Sequence, residues 1–524
     1  MDDLISGLNT TTCDVAVIGG ALSGAATALI LKREDPSLNV LLVEKNEEFK
    51  RRVGEATVEV SGYFLTRVLG LTNFLTQTQL CKNGLRFWFE NEQTVNIGDC
   101  SEIGGKYLST VPSFLVDRAV LDEEVLRRAI ELGVEVLRPA TVSSVDLCEG
   151  GIQTLHINSK GVTRVIGARW VVDASGVRCL LARENNWWHP NEEHPTLSVW
   201  SRWRGVKDWD AEPLISKHPK MSKGYVGIRS TATNHMTGYG WWSWWINLKG
   251  GETSIGVVID TRRVQWPDDD SPVGEKLRQF LFRHVAAREM LQKAEFTAGD
   301  VHFRRNLPYY SEVQSGDGFV LTGDAWAFLD PFYSPGMDWI AFTSMASVRL
   351  IMAWRRGEEI APIIKTQNND FSVAYRRMFE ALYKDKYDYI GDYQLMQIAL
   401  RLDIALYYLF VVRPVFSEGV NGFDQLPYAS GRAYPIFSLM RLYNVRLAAI
   451  ARRRRSGGEF GLTNNGQRYY FPGFNLQAFY LVKIIFKALI SWIVLELREG
   501  WKSWGDTSTK VDHSNEANDK KKLA

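Results

Sequence analysis

The sequence predicts an α/β protein: a doubly wound domain on a parallel sheet, an antiparallel β-sheet inserted into it, and a C-terminal helical region. Three observations carry that reading. Residues 13–24, C-D-V-A-V-I-G-G-A-L-S-G, run from a β-branched apolar stretch into a glycine cluster, and a helix-forming stretch, 25–31, follows at once. A second strand-to-helix junction lies some 300 residues later, where F-V-L at 319–321 meets T-G-D at 322–324. Between them, 180–312 is rich in short apolar, β-branched and aromatic runs, whereas 346–504 reads as mostly helical.

The elements follow in order. Residues 15–18 form the first strand, and Gly19, Gly20 and Gly24 supply the tight turn that opens the first helix. A second apolar run, 40–43, ends at Glu44, 20 residues beyond Gly24. This spacing predicts a dinucleotide site, with pyrophosphate on the helix N-terminus and the acid at the adenosine ribose. Ala21 stands where the central glycine of G-x-G-x-x-G is usual. The stretch V-D-R-A-V-L-D-E-E-V-L-R-R-A predicts a helix carrying Arg118 and Asp122, and 134–136 the strand after it. V-V-D-A-S-G at 171–176 is another strand-to-loop junction, with Asp173 at its end. Gly104-Gly105 and Gly150-Gly151 lack the flanking strand and helix, so no second nucleotide domain is expected.

Composition narrows the class. A chain of 524 residues exceeds one ordinary core and predicts two or three domains or sub-domains. A net charge of +2 argues for no nucleic-acid partner. Five scattered cysteines without C-x-x-C spacing suit free thiols in a reducing compartment and no metal site. Residues 1–12 do not read as a signal peptide, so a cytoplasmic protein is expected. The 18 tryptophans hint at a pocket for a flat ligand.

The distribution of these motifs resembles the FAD-binding (GR2-type) domain of the para-hydroxybenzoate hydroxylase superfamily, in which one FAD domain is assembled from distant segments. That resemblance implies FAD contacts at Gly19, Gly20, Ala21, Ser23, Gly24, Glu44, Ala56, Arg118, Asp173, Asp324 and Gly336. Three further stretches resemble the flavin-dependent halogenases: G-E-A-T at 54–57, C-K-N-G-L-R-F-W-F at 81–89, and G-W-W-S-W-W-I-N-L at 240–248. The last contains W-x-W-x-I at Trp242, Trp244 and Ile246, with Asn247 where the family keeps proline. Alternation puts Trp242, Trp244 and Ile246 on one strand face.

The resemblance implies that reduced FAD and oxygen form a flavin C4a-hydroperoxide, from which chloride or bromide takes the distal oxygen as hypohalous acid. Lys82 then holds that acid, by hydrogen bond or as a haloamine, beside an electron-rich indole-, phenol- or pyrrole-like ring. Aromatic neighbours, Phe87 and Trp88, favour the required neutral amine. Trp242, Trp244, Ile246 and Phe87 wall the passage. Ser334 and Gly336 flank Pro335 in the turn expected to hold the halide, and Pro335 has no N–H to give. Tyr333 stands where tryptophan halogenases place a glutamate, which leaves Glu55 as the replacement carboxylate. The expected partners are a separate flavin reductase and a small aromatic substrate, free or carrier-bound, with the chain a monomer or homodimer. The same FAD motifs also serve an aromatic hydroxylase, and a halide requirement separates the two.

The expected organisation is an FAD domain over 1–345 with its β-sheet insertion at about 180–312, a helical region over 346–504 and a disordered tail over 505–524. Arg452 to Arg455 read as a basic loop. Residues 479–497 are strongly apolar but carry Lys483 and Lys487, one helical turn apart. They predict an amphipathic helix packed on the protein rather than lying on a membrane.

Overall fold

The structure, a computed structural model, describes residues 11–224 and 227–504, so the expected tail lies outside the described residues. Its first sheet has Thr11–Ile18 at the centre, parallel to Val40–Val43 on one side and to Val162–Asp173 on the other. Glu135–Leu137 and Phe319–Leu321 extend it, again in parallel. Val15, Ala16, Val17, Leu42, Val171 and Val172 are fully or almost fully buried. Such unbroken apolar runs mark parallel strands covered on both faces. Register sets the site: Ile18 pairs with Val43 and with Asp173, and Asp173 with Leu321. The carboxyl ends of four strands therefore meet at one edge, the usual place for a ligand in such sheets.

The second sheet has nine strands and is wider than the expected insertion. Thr196–Arg204, Thr253–Asp260, Trp241–Asn247 and Thr233–Gly238 form its antiparallel centre. Leu85–Phe89, Ser101–Gly105 and Arg468–Phe471 complete it from far outside 180–312. Two of these pairings are parallel, Thr233–Gly238 with Leu85–Phe89 and Arg468–Phe471 with Ser101–Gly105. Alternation reveals a strand in sequence but not its distant partner, which is why the boundary was drawn too narrowly.

The tryptophan-rich strand divides two cores. Trp242, Trp244 and Ile246 join the large core shared with the parallel-sheet domain. Trp245 joins a second core with Trp88, Trp203 and Trp209. Gly256 makes room for this packing, since a Cβ there would stand 2.2 Å from the Trp244 ring.

The expected boundary at 345/346 falls inside one helix, Gly336–Arg355, which starts at the site and runs on into the helical region. Arg452 to Arg455 are the end of the helix Tyr434–Ser456 rather than a loop. Arg454 is buried and grips both oxygens of Asp392 at 3.0 Å. The helix Ala478–Arg498 packs on Tyr393–Tyr407, and only Leu481, Ala488 and Leu495 of it are fully covered.

Candidate functional site: two cavities and a shared wall

The first glycine turn is shaped for a dinucleotide. Gly19 adopts φ +100°, and a Cβ there would lie 2.4 Å from the Ala174 carbonyl oxygen. At Gly24 a Cβ would lie 1.9 Å from the Gly19 carbonyl oxygen. Ala21 caps the helix Leu22–Glu34 without a side-chain bond, which leaves the first N–H groups open to an anion. The Ser23 hydroxyl donates to the Thr322 Oγ1 at 2.8 Å and ties this turn to the second junction. Glu44 accepts from the Gly20 N–H (2.8 Å) and the Asn46 N–H (2.8 Å), which fixes the carboxylate at the second strand's end.

Arg118 is held by Asp122 through Nε (3.0 Å) and Nη2 (3.2 Å). Its Nη1 leaves no room for a side chain at Gly54, where a Cβ would stand 2.7 Å away. Asp324 lies among Arg304, Arg118 and Arg52, and burial raises its carboxyl against their pull. Asp173 differs from expectation. It is completely buried, and its oxygens accept the N–H groups of Ser175 (2.9 Å) and Leu181 (2.8 Å). It braces the loop and has no surface for a ligand.

A cavity lies beside Arg118 and Asp324. Gly54, Glu55, Ala56, Arg118 and Asp324 line one side, Trp242, Trp244 and Ile246 another, and Ser334, Pro335 and Gly336 its end. The tryptophans are fixed by their ring N–H groups: Trp244 donates to the Ser254 hydroxyl (3.2 Å), and Trp242 to Tyr387 (2.7 Å), which donates to Asp330 (2.8 Å). Asn247 closes the strand, donating to the Ser230 carbonyl at 2.8 Å. Phe87 lines neither this cavity nor the next. It stacks behind His235 at 4.7 Å, and burial holds that imidazole down at about 3, so it is neutral. Glu55 faces the first cavity, where Arg202 pairs with it at 2.8 Å and burial raises its carboxyl to about 7. It does not line the lysine's cavity, so it is no partner for Lys82.

A second cavity surrounds Lys82. The lysine is buried, and its Nζ donates to the Thr57 carbonyl at 2.7 Å. Burial lowers its ammonium to about 8, while Glu59 and Asp338 pull the other way. Phe87 and Trp88 do not line this cavity: Phe87 stacks on His235 and Trp88 on Trp209. The desolvating walls include Val58, Leu85, Phe342, Leu382 and Phe474.

Sequence reasoning missed the carboxylates here. Asp338, in the first turn of Gly336–Arg355, accepts from the Ser61 N–H (2.9 Å) and the Tyr407 hydroxyl (2.8 Å), and burial raises it to about 7. Glu59 accepts from the Tyr408 hydroxyl at 2.7 Å. The available signal was the acid four residues after Ser334, in S-P-G-M-D.

Pro335 and Trp339 line both cavities and form the wall between them. The turn before this wall holds two consecutive left-handed residues, Tyr333 (φ +69°) and Ser334 (φ +59°). Each such residue costs on the order of 1 kcal/mol or more and persists where surroundings impose it. Here Tyr333 donates to Asp403 at 2.9 Å, and the Ser334 N–H donates to the Pro331 carbonyl at 2.9 Å. That N–H is thus engaged within the turn, contrary to the expected halide role. Gly336 begins the helix, where N–H groups lack intrahelical partners, and nothing lies within 4 Å of a Cβ built there.

A split parallel-sheet nucleotide domain joined to a second, lysine-bearing cavity defines a FAD-dependent oxidoreductase. The chain belongs to the tryptophan halogenase family, whose match spans residues 14–98 and 100–384. It is 24% identical over 362 residues to flavin-dependent halogenase armH5 of Armillaria mellea, covering 66% of this chain and 65% of that protein. It is 25% identical over 460 residues to halogenase chlA of Dictyostelium discoideum, covering 77% and 72%. A carrier-protein-linked pyrrole-2-carbonyl chlorinase of Pseudomonas fluorescens is 27% identical over 334 residues, covering 63% and 67%. The match therefore spans about two thirds of these relatives' own length. Among solved structures, halogenase PltM superposes with a TM-score of 0.71 at 18% identity over 91% of this chain and 96% of that one. Brominase Bmp2 superposes at 0.64 and 21%, over 83% and 100%. FAD is the family's cofactor and halide its co-substrate.

Proposed function

We propose that the chain is a halogenase that installs chlorine or bromine on an electron-rich aromatic ring held in the Lys82 cavity. The observation that carries this reading is a buried lysine, its ammonium lowered to about 8, in a cavity that shares the Pro335–Trp339 wall with the dinucleotide-side cavity. Reduced FAD, held by the residues named below, would with oxygen and halide supply hypohalous acid.

The residues then have separate tasks. Gly19, Gly20, Ala21, Ser23, Gly24, Glu44, Ala56, Arg118 and Asp324 hold the cofactor, and Asp173 shapes its loop. Trp242, Trp244 and Ile246 keep water out. Gly336 offers a backbone N–H to halide. Lys82 takes up the acid by hydrogen bond, or as a haloamine with loss of water. The ring attacks the halogen and breaks its bond to nitrogen or oxygen; Asp338 or Glu59 takes the ring proton and returns it to the leaving group, so a haloamine goes back to the neutral Lys82 amine and a hydrogen-bonded hypohalous acid leaves as water. The ring is indole-, phenol- or pyrrole-like, because electrophilic halogen needs high electron density. The similarity to a carrier-linked pyrrole chlorinase, and to a halogenase crystallised with phloroglucinol, supports pyrroles and phenols in particular.

The deciding experiment incubates the protein with reduced FAD, oxygen, chloride or bromide, and a panel of indoles, phenols and pyrroles, free and carrier-bound, read by mass spectrometry. A halogenated product that disappears without halide is expected. Hydroxylated product independent of halide would make the chain a hydroxylase instead.

A further inference from the structure

The helix Ala478–Arg498 is apolar on two faces, and the fold uses only one. Leu481, Ala488 and Leu495, spaced by seven, form the covered seam against Tyr393–Tyr407. Only 17% of its most apolar 18-residue window is buried. On the other side stand Phe479 (85% exposed), Val482, Phe486 (64%), Ile490, Ile493 and Leu497 (74%). These recur at three- and four-residue steps, so they make one continuous stripe. Trp501 and Trp504, both exposed, follow directly.

Charge on this element is sorted by side. Its acids turn inward: Glu496 is gripped by Arg446 at 3.0 Å, and Glu499 by Arg454 at 2.6 Å. Lys483, Lys487, Arg498 and Lys502 are exposed. The outward face thus offers apolar side chains, indoles and cations, and its own carboxylates are spent elsewhere.

We propose that this face docks the protein on an anionic lipid surface, with the helix lying in the plane of the interface. Apolar side chains enter the acyl boundary, lysines meet the headgroups, and tryptophans sit at headgroup level. The seam along the helix's full length keeps it flat on the protein, so it does not cross the bilayer. A second copy of this chain is a poorer occupant. It would bring further lysines and another Arg498 to the same outward face, with no outward carboxylate of the helix to meet them.

The test is co-sedimentation of the full chain with vesicles of phosphatidylcholine, with and without phosphatidylglycerol. Binding to the phosphatidylglycerol vesicles that falls with added salt is expected. K483E/K487E should cut that partition roughly tenfold or more, and Phe486→Asp should reduce it without charge reversal. Flavin content and thermal melting verify that each variant is folded, since none of these residues lies in either cavity. Absence of binding to the anionic vesicles overturns the proposal, as does binding indifferent to phosphatidylglycerol. A dimer in light scattering that Phe486→Asp dissolves, without vesicle binding, would assign the face to a second copy and overturn it too.

Discussion

Lys82 and Asp338 share a cavity and titrate in opposite senses. Burial lowers the lysine to about 8 and raises the carboxyl to about 7, so above pH 8 both are mostly in the form the proposed chemistry needs, amine and carboxylate. Halogenation should therefore climb with pH from about 7 to about 9, read as product formed per flavin oxidised. Lys82→Ala should abolish product yet bind FAD and still consume reduced flavin, releasing hydrogen peroxide or free hypohalous acid. A group used only after oxygen activation lowers turnover without weakening cofactor binding. Lys82→Arg should fail as well, since a guanidinium stays protonated. Wild-type yield from Lys82→Ala would remove the lysine from the mechanism.

The same two groups mark stability. Between about pH 8 and 10.5 the unfolded chain holds a proton on this lysine that the folded chain lacks, so this group makes stability rise with pH across that window, by about 3 kcal/mol in all. For Asp338 the folded state holds the extra proton between about pH 4 and 7, so stability falls as pH rises there. Asp338→Asn should flatten that fall in denaturant titrations taken at successive pH values, and should also slow halogenation. An unchanged slope would mean that the carboxyl is not raised.

At the scale of elements, two glycines at two helix starts separate necessity from convenience. Gly24→Ala forces a Cβ to within 1.9 Å of a backbone oxygen, so the turn must distort, and FAD binding should be lost or weakened by orders of magnitude in flavin titration. Gly336→Ala meets open space, so it should fold and bind FAD normally while halide dependence shifts. Local elements were also the most legible part of the sequence. The strand–turn–helix at 13–24, the Gly-Asp junction at 323–324 and the alternation of Trp242, Trp244 and Ile246 all follow from local spacing and stand where expected. Glu55 and Phe87 were misplaced because proximity in sequence to a motif says nothing of which wall a side chain faces. Asp338 was missed because its meaning depends on Ser61 and Tyr407, 277 residues before it and 69 after.

For the whole molecule, the parallel-sheet domain was readable because its junctions carry glycine and acid at fixed distances. The nine-stranded sheet was not, because Leu85–Phe89 and Arg468–Phe471 join it through pairings that no local pattern encodes. The single glycine fingerprint has a kinetic counterpart. NADPH alone should leave the bound flavin yellow, and a separate flavin reductase should restore turnover. Rapid bleaching by NADPH would require a nicotinamide site that the sequence does not suggest.

The wall of Pro335 and Trp339 puts the oxidant's source and the aromatic's berth in separate rooms. Of the described residues only Pro335 and Trp339 line both rooms, which leaves two side chains to carry word of an arrival from one to the other. The flavin side should therefore run blind, reoxidising at the same rate whether or not an aromatic is waiting, as stopped-flow absorbance would record. Economy then becomes a matter of timing: with scarce substrate the protein would squander reductant and halide on spent oxidant, and yield would track how long the lysine's cargo survives. Flavin reoxidation accelerated several-fold by the aromatic would mean that the partition transmits, and that the rooms are coupled after all.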